Sequence, residues 1–287
     1  MKTESLDNGY ESEGEYDFAR SPENLLILSD AAKFEKRFEV QSLLTKSANG
    51  VLYNGFDRKK VKPVVIKQIP RKNLRDFHDV RGRLVPSEIF YHLKAAKISS
   101  KVIKPIAWFE KKSSFVLVME KIDNFVDLWT FCSKIGPMKE QAAAFIFRQI
   151  FEVAHALHRA GLVHRDLKDE NVLIDPDSLE IKVIDFGCAT ASKSHFSVGV
   201  GTPEYFPPEW FETVFYQPEP LTIYSLGAIW YILLTGCWIV ENGFLKREFL
   251  NERHISVKTK ALLDSLLCYN PVKRASFETV NTALKRI

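Results

Sequence analysis

The chain has 287 residues, 46% hydrophobic and 26% charged, with a formal net charge of +4. Such a length suits two packed units or one large bilobal one, and the balance excludes a disordered, collagen-like or disulfide-stapled chain. The four cysteines, Cys132, Cys188, Cys237 and Cys268, have neither CxxC nor metal-ligand spacing and read as the reduced thiols of a cytoplasmic or nuclear protein.

Residues 1–30 carry eight acidic and two basic groups, with no apolar core of a secretory signal. Residues 1–36 are expected to be an acidic, disordered tail, because they cannot bury enough apolar surface to fold alone. The body that follows is mildly basic, but no Lys/Arg run interleaved with aromatics marks a nucleic-acid surface. From residue 38 to 120 the pattern is β-rich, with strands expected at 38–44, 51–56, 64–69, 102–109 and 115–120. A helix at 85–98, with Pro86 in its first turn, interrupts them. Thereafter helices are expected at 126–135, 139–160 with Gly161 as stop, 223–234 with Gly236 behind it, and 258–268. The result is an α+β, bilobal chain: a small N-lobe, 37–120, with a five-stranded sheet and one helix, and a larger mainly helical C-lobe, 125–287.

Residues 220–240 contain no charged residue over 21 positions, long enough to cross a bilayer. Thr222, Ser225, Gly227, Thr235 and Gly236 within the stretch, and the lack of a flanking Lys/Arg cluster, favour a helix buried all round in a large lobe. No membrane span is expected.

The most informative run is His164-Arg165-Asp166-Leu167-Lys168-Asp169-Glu170-Asn171, followed by Asp185-Phe186-Gly187. Phosphoryl transfer needs positioned reactants and neutralised phosphate charge. In this spacing Asp166 is the candidate proton acceptor, Asn171 and Asp185 are candidate Mg²⁺ ligands through hard oxygens, and Lys168 stands beside the transferring phosphate. Lys67, in Val64-Val65-Ile66-Lys67, is the candidate clamp on ATP phosphates, with Glu88 as its ion-pair partner on the helix. Alone, a strand lysine reads as an ordinary solvated charge; with both motifs downstream in this order, the clamp is the better reading.

These motifs resemble those of eukaryotic protein kinases over residues 37–287, and within them the Pim family of serine/threonine kinases. The resemblance rests on the run from His164 to Asp175, on Pro207-Pro208-Glu209-Trp210, on Phe115-Val116-Leu117-Val118, and on Thr222 standing where most kinases carry an aspartate two positions before Tyr224. It implies an ATP- and Mg²⁺-dependent serine/threonine protein kinase, a monomer acting in survival or growth signalling. Thr202 would bond near Asp166 and Lys168, Glu209 would pair with Arg274 to brace the substrate platform, and Lys168 would favour Ser/Thr acceptors. Glu120 would belong to the nucleotide site, and Leu173 would lie below the adenine. Asp127, Asp169 and Glu170 would surround the peptide groove and favour basic substrates, with Asp127 also reaching the ribose; ordinary surface charge is the competing reading for each.

Several positions depart from the family pattern. The phosphate-covering loop, Leu44-Thr45-Lys46-Ser47-Ala48-Asn49-Gly50-Val51-Leu52, keeps only its last glycine, although glycine lets backbone N–H groups approach phosphates. Lower nucleotide affinity or turnover is expected, and it leaves a second reading open: a pseudokinase acting as a binding module. Val65 replaces a smaller alanine, tightening the adenine slot, and Ile122 offers a backbone donor where Pim kinases have proline. His92 falls where an apolar residue usually stacks on Phe186; it reads either as a loosening element or as a hydrogen-bonded core histidine. His155, His158 and His164 do not read as a metal site. Ser192, Ser194, Ser197 and Thr202 are candidate phosphate acceptors in segment 185–209, where Arg165 would pair with an added phosphate. Cys188 reads as a reactive thiol or, with better support, as a buried inert one.

Overall fold

Alternation along the strands builds the N-lobe, because successive side chains point to opposite faces of a sheet. The structure, a computed structural model, describes residues 31–47, 50–80, 82–237, 240–241, 244–245 and 255–286. The chain enters through helix α1 (Ala31–Arg37), where a disordered tail to residue 36 was expected. Phe34 of α1 is buried and meets Phe109 edge-on, with ring centroids 5.2 Å apart. Residues 1–30 of the expected tail lie outside the described residues.

Strands β1 (Phe38–Ser47), β2 (Gly50–Asp57) and β3 (Lys62–Pro70) are followed by a short hairpin, β4 (Phe77–Asp79) and β5 (Leu84–Pro86), then α2 (Ser87–Ile98), β6 (Pro105–Glu110) and β7 (Ser114–Glu120). The five-stranded antiparallel sheet has the order β1-β2-β3-β7-β6. Val64 and Ile66 of β3, with Val116 and Val118 of β7, pack with Phe34 on one face. Ile69, Phe115, Leu117 and Met119 face Ile89 and Leu93 of α2 on the other. Lys67 shares that second face by parity, so the sheet points its one buried lysine toward α2.

In the N-lobe two elements start later than expected. The helix expected at 85–98 starts at Ser87, because Val85 and Pro86 pair with His78 and Phe77 in the β4–β5 hairpin. The strand expected at 102–109 starts at Pro105, while Val102 forms an isolated bridge with Val183 and ties the lobes together.

In the C-lobe, β8 (Val126–Asp127) takes the first two residues of the helix expected at 126–135 and leads into α3 (Leu128–Ile135). Next come α4 (Glu140–Arg159), β9 (Leu162–Val163), β10 (Val172–Ile174), β11 (Ile181–Val183), β12 (Thr190–Ala191), α5 (Pro208–Thr213) and α6 (Pro218–Thr235). The paired strands β13 (Val240–Glu241) and β14 (Phe244–Leu245) precede α7 (Val257–Leu266) and α8 (Phe277–Leu284). Helix α4 buries Ile146, Phe147, Ile150, Val153 and Leu157, a three-to-four spacing that forms one apolar stripe. It lies on α6, where Phe147 meets Trp230 with centroids 4.1 Å apart. Helix α6 is buried on all sides, and no helix among the described residues is long and apolar enough to cross a membrane. The expected Glu209–Arg274 pair is present and bidentate, both contacts at 2.7 Å, and Arg274 also donates to the carbonyls of Pro220 and Cys268.

An aromatic stack joins the lobes behind the cleft. The His92 ring of α2 stacks on Phe186, centroids 5.1 Å apart, and Phe186 meets His164 at 4.8 Å. His92 Nε2 donates to the Ile103 carbonyl at 2.8 Å, so His92 is a hydrogen-bonded core histidine rather than a loosening element. Burial holds its pKa down to about 4, despite the pull of that hydrogen bond. Since the unfolded chain takes up this proton near 6.5, the unfolded state binds more protons between these values, and stability falls as pH drops through that window. From pH 7 to pH 5 the residue removes about 2 kcal/mol of stability. Urea unfolding of wild type and His92→Leu at both pH values should show a loss smaller by that amount in the variant; equal losses would contradict the assignment.

Candidate active site

Lys67 is 4% exposed, and an ammonium that deep in a protein requires carboxylate partners. It has two, supplied by opposite lobes: Glu88 Oε1 of α2 at 2.6 Å, and Asp185 Oδ1, just after β11, at 2.9 Å. Burial alone would lower the Lys67 pKa, but the two carboxylates outweigh it and hold the lysine charged. Burial likewise opposes ionisation of Asp185, and Lys67 together with the Gly187 N–H at 3.1 Å brings its pKa below the ordinary value. Burial pushes the Glu88 carboxyl up against the pull of Lys67. Asp185 sits at φ 59° and Arg165 at φ 63°, left-handed conformations that only a well-determined surrounding sustains in non-glycine residues.

Asp166 occupies the loop between β9 and β10 and is held from two sides. Thr202 Oγ1 donates to its Oδ1 at 2.7 Å, and Asn171 Nδ2 donates to its Oδ2 at 3.1 Å and to its carbonyl at 2.8 Å. The Asp166 N–H donates to His164 Nδ1 at 3.3 Å, which leaves the imidazole proton on Nε2, facing the Ile184 carbonyl at 3.1 Å. With its amide nitrogen committed to Asp166, Asn171 keeps its oxygen for another partner. Asp185, whose Oδ1 serves Lys67 and Gly187, keeps Oδ2.

Those two oxygens suit a hard cation that takes its other ligands from water and phosphate, as Mg²⁺ does. Among the described residues no group of three or more His, Cys, Asp or Glu could hold a metal by itself. His155 and His158 lie against the Phe277 ring, with centroids 5.1 and 4.7 Å away.

Between the lobes lies a cavity of about 360 Å³. The N-lobe sheet contributes Leu44, Leu52 and Val65, the C-lobe contributes Leu173 and Ile184, and Lys67, Glu88 and Asp185 form its charged end. Glu120, the last residue of β7, and Ile122 just beyond it border the cavity; the Glu120 carboxylate itself turns aside and accepts from the Lys104 N–H at 2.8 Å. Sequence reasoning missed Asn54, Met119, Phe125 and Ile184 as lining residues. Met119 and Ile184 each precede a residue that was singled out, Glu120 and Asp185, which was the available signal.

The covering loop is placed differently from expectation. Of its members, Leu44 and Leu52 border the cavity, whereas Thr45, Lys46, Ser47, Gly50 and Val51 do not; Ala48 and Asn49 lie outside the described residues. Strands β1 and β2 stay paired to the tip through Thr45↔Leu52, Lys46↔Val51 and Ser47↔Gly50. Gly50, at φ 152°, is required by the sheet: a Cβ there would stand 2.5 Å from the Gln68 carbonyl oxygen of β3.

Three charged groups of the expected site have partners within the protein. Lys168 pairs with Glu170 at 2.9 Å; burial would lower its pKa, but Glu170 and Asp166 raise it. Asp127 is the N-cap of α3 and accepts from the Thr130 N–H and hydroxyl, both at 2.7 Å; it does not border the cavity. Asp169 is fully buried, accepting from the Tyr205 hydroxyl at 2.7 Å, so it does not line a groove open to solvent. The Arg165 guanidinium donates to the Cys188 carbonyl at 2.7 Å and lies over the Phe196 ring. Burial, reinforced by Asp166 and Asp185, pushes the Cys188 thiol up to about 12, the signature of an inert thiol.

The lysine–glutamate–aspartate triad, the braced Asp166 and the interlobe cavity agree with what comparison with known proteins shows. Residues 38–284 match the family model described as protein kinase domain. The serine/threonine-protein kinase pim-2 of Danio rerio is 34% identical over 259 residues, covering 86% of this chain and 84% of that protein. The serine/threonine-protein kinase prk-2 of Caenorhabditis elegans is 31% identical over 265 residues, covering 87% of this chain but 58% of that protein. A PAS domain-containing serine/threonine-protein kinase of Mus musculus is 32% identical, and the chain spans 18% of its length. The chain therefore belongs to the eukaryotic serine/threonine protein kinases, and within them it is Pim-like.

Proposed function

We propose that the protein transfers the γ-phosphoryl group of ATP, with Mg²⁺, to Ser and Thr hydroxyls of protein substrates rich in Arg or Lys. The carrying observation is the buried Lys67 held jointly by Glu88 and Asp185, 2.6 and 2.9 Å away on opposite lobes, beside an Asp166 fixed by Thr202 and Asn171. Lys67 binds the nucleotide phosphates from the charged end of the cavity, and the surrounding apolar walls take the adenine. Asp166 orients the acceptor hydroxyl and receives its proton as that oxygen bonds to the γ-phosphorus and the bond to the β-phosphate oxygen breaks. The free oxygens of Asn171 and Asp185 hold Mg²⁺, which neutralises phosphate charge when bound. Lys168, tied to Glu170, keeps a positive charge next to Asp166.

Glu170, half-exposed beside Lys168, supplies the acidic surface that attracts a basic peptide; Asp127 and Asp169 do so less, being committed to internal bonds. A monomer in a reducing cytoplasmic or nuclear compartment, acting in growth or survival signalling, completes the proposal and draws on the Pim resemblance. The pseudokinase reading retains one supporting observation, the glycine-poor tip at Thr45 and Ser47. Against it stand the assembled triad and the complete set of polar contacts on Asp166.

Three measurements test these assignments. With Mg·ATP and a basic Ser peptide, Asp185→Asn should reduce phosphate transfer by about 100-fold or more; wild type no faster than this variant would establish the pseudokinase instead. Glu170→Gln should raise the KM of an Arg-rich peptide about fivefold and that of a peptide without basic residues by less, since one unit of attractive charge is removed; equal rises for both peptides would place the role of Glu170 on Lys168 instead. Replacing Thr45 and Ser47 together by Gly should lower the KM for ATP about threefold by freeing backbone N–H groups to approach the phosphates; an unchanged or higher KM would show that the tip does not limit nucleotide binding.

A further inference from the structure

Asp169 carries an unusual combination. Its side chain is fully buried, Oδ1 accepts from the Tyr205 hydroxyl at 2.7 Å and from the Glu170 N–H at 2.9 Å, and Oδ2 is buried without a hydrogen-bond partner. Among the described residues no cation pairs with it. Burying a carboxylate in this manner is costly, so what it holds in place matters. It opens the short turn Asp169–Asn171, between the base Asp166 and Asn171. Tyr205, itself buried, ends the turn Pro203–Tyr205 directly after Thr202.

The two turns are therefore joined twice, by Thr202 to Asp166 at 2.7 Å and by Tyr205 to Asp169 at 2.7 Å. They also approach closely: Gly201 sits at φ 115°, and a Cβ there would collide with the Arg165 carbonyl oxygen. One hydrogen bond leaves a turn free to pivot, whereas two bonds three residues apart fix both position and tilt. We propose that Asp169 and Tyr205 are a positioning pair that sets the tilt of the 201–206 platform against the catalytic loop, and so governs binding of the peptide rather than of ATP. This inference rests on the protein-kinase reading above and deepens it. The acid pair Asp169-Glu170 thereby divides its labour: Glu170 faces the substrate, and Asp169 holds the surface on which the substrate lies.

The test uses the full chain with a basic Ser peptide and Mg·ATP, with thermal melting of every variant. Tyr205→Phe should raise the peptide KM about fivefold while the KM for ATP changes less than twofold, because a bond to a charged acceptor is lost on the peptide side alone. Asp169→Ala should produce the same rise, and the double variant no more than either single one, the mark of two residues acting through one contact. Asp169→Asn, which keeps an acceptor for the Tyr205 hydroxyl, should restore the peptide KM to within twofold of wild type. An unchanged peptide KM in Tyr205→Phe, additive effects, or an Asn variant as impaired as the Ala variant would each overturn the proposal. If Tyr205→Phe does not fold, Asp169→Asn against Asp169→Ala still decides it. Wild type that transfers no phosphate to the peptide would defeat the kinase reading itself, an outcome distinct from active wild type with insensitive variants.

Discussion

The buried cation of Lys67 is the constraint on which the rest of the arrangement depends. A strand lysine at 4% exposure has lost nearly all its water, and that cost is offset only by carboxylates at contact distance. The sequence of β3 places Lys67 on the same face as Val65 and Ile69, toward α2 and the cleft. Glu88 reaches it only if α2 lies against that face, and Asp185 only if the C-lobe closes onto it. One side chain thus specifies the seat of a helix and the relation of two lobes. Removing either acid leaves Lys67 with a single partner, and removing the lysine leaves two like charges facing each other, so the three positions depend on one another.

Around this triad the polar contacts form a second constraint. Asp185 and Arg165 both adopt left-handed backbone angles, and each is over-determined by its neighbours: Asp185 by Lys67 and Gly187, Arg165 by the Cys188 carbonyl and the Phe196 ring. Strain at these positions persists because packing behind them is dense; Phe186, between them and the core, is fully buried between His92 and His164. A neutral, hydrogen-bonded histidine does there what an aliphatic side chain does elsewhere, provided it stays unprotonated.

Long periodic segments were legible in the sequence, and so was the spacing of the chemistry. Helix α4 lies within one residue of its expected bounds because its apolar stripe runs for many turns, whereas α6, apolar all round, starts at Pro218 instead of 223. Helix α1 was hidden because its few residues look like the end of an acidic tail until Phe34 meets Phe109. The β4–β5 hairpin was hidden because three-residue strands carry no period of their own. Among the site residues, Lys67, Glu88 and Asp185 meet in one triad and Asn171 bonds Asp166. The acids at 127 and 169, which the resemblance put around the peptide groove, are engaged in internal bonds. A carboxylate takes the nearest well-aligned donor, and the donors were Thr130, three residues away, and Tyr205, 36 residues away. The first pattern is a readable helix cap; the second exists only once the chain has folded.

The hairpin over the cavity follows from different physics than the floor beneath it. A lone glycine surviving from a glycine-rich pattern invites the inference that it was kept for phosphate binding. Gly50 has a sufficient reason of its own in the Gln68 carbonyl, where no Cβ fits, so its presence says nothing about the nucleotide. The absence of glycine at Thr45 and Ser47 is the informative fact. With side chains there, β1 and β2 remain laddered through Ser47↔Gly50, and backbone N–H groups engaged across an antiparallel ladder are not aimed at an anion. Phosphate charge must then fall more heavily on Lys67 and on whatever Asn171 and Asp185 hold. Under the proposed function, a lid with fewer N–H groups turned toward phosphate raises the dependence on the triad, whose members are in contact at 2.6 and 2.9 Å.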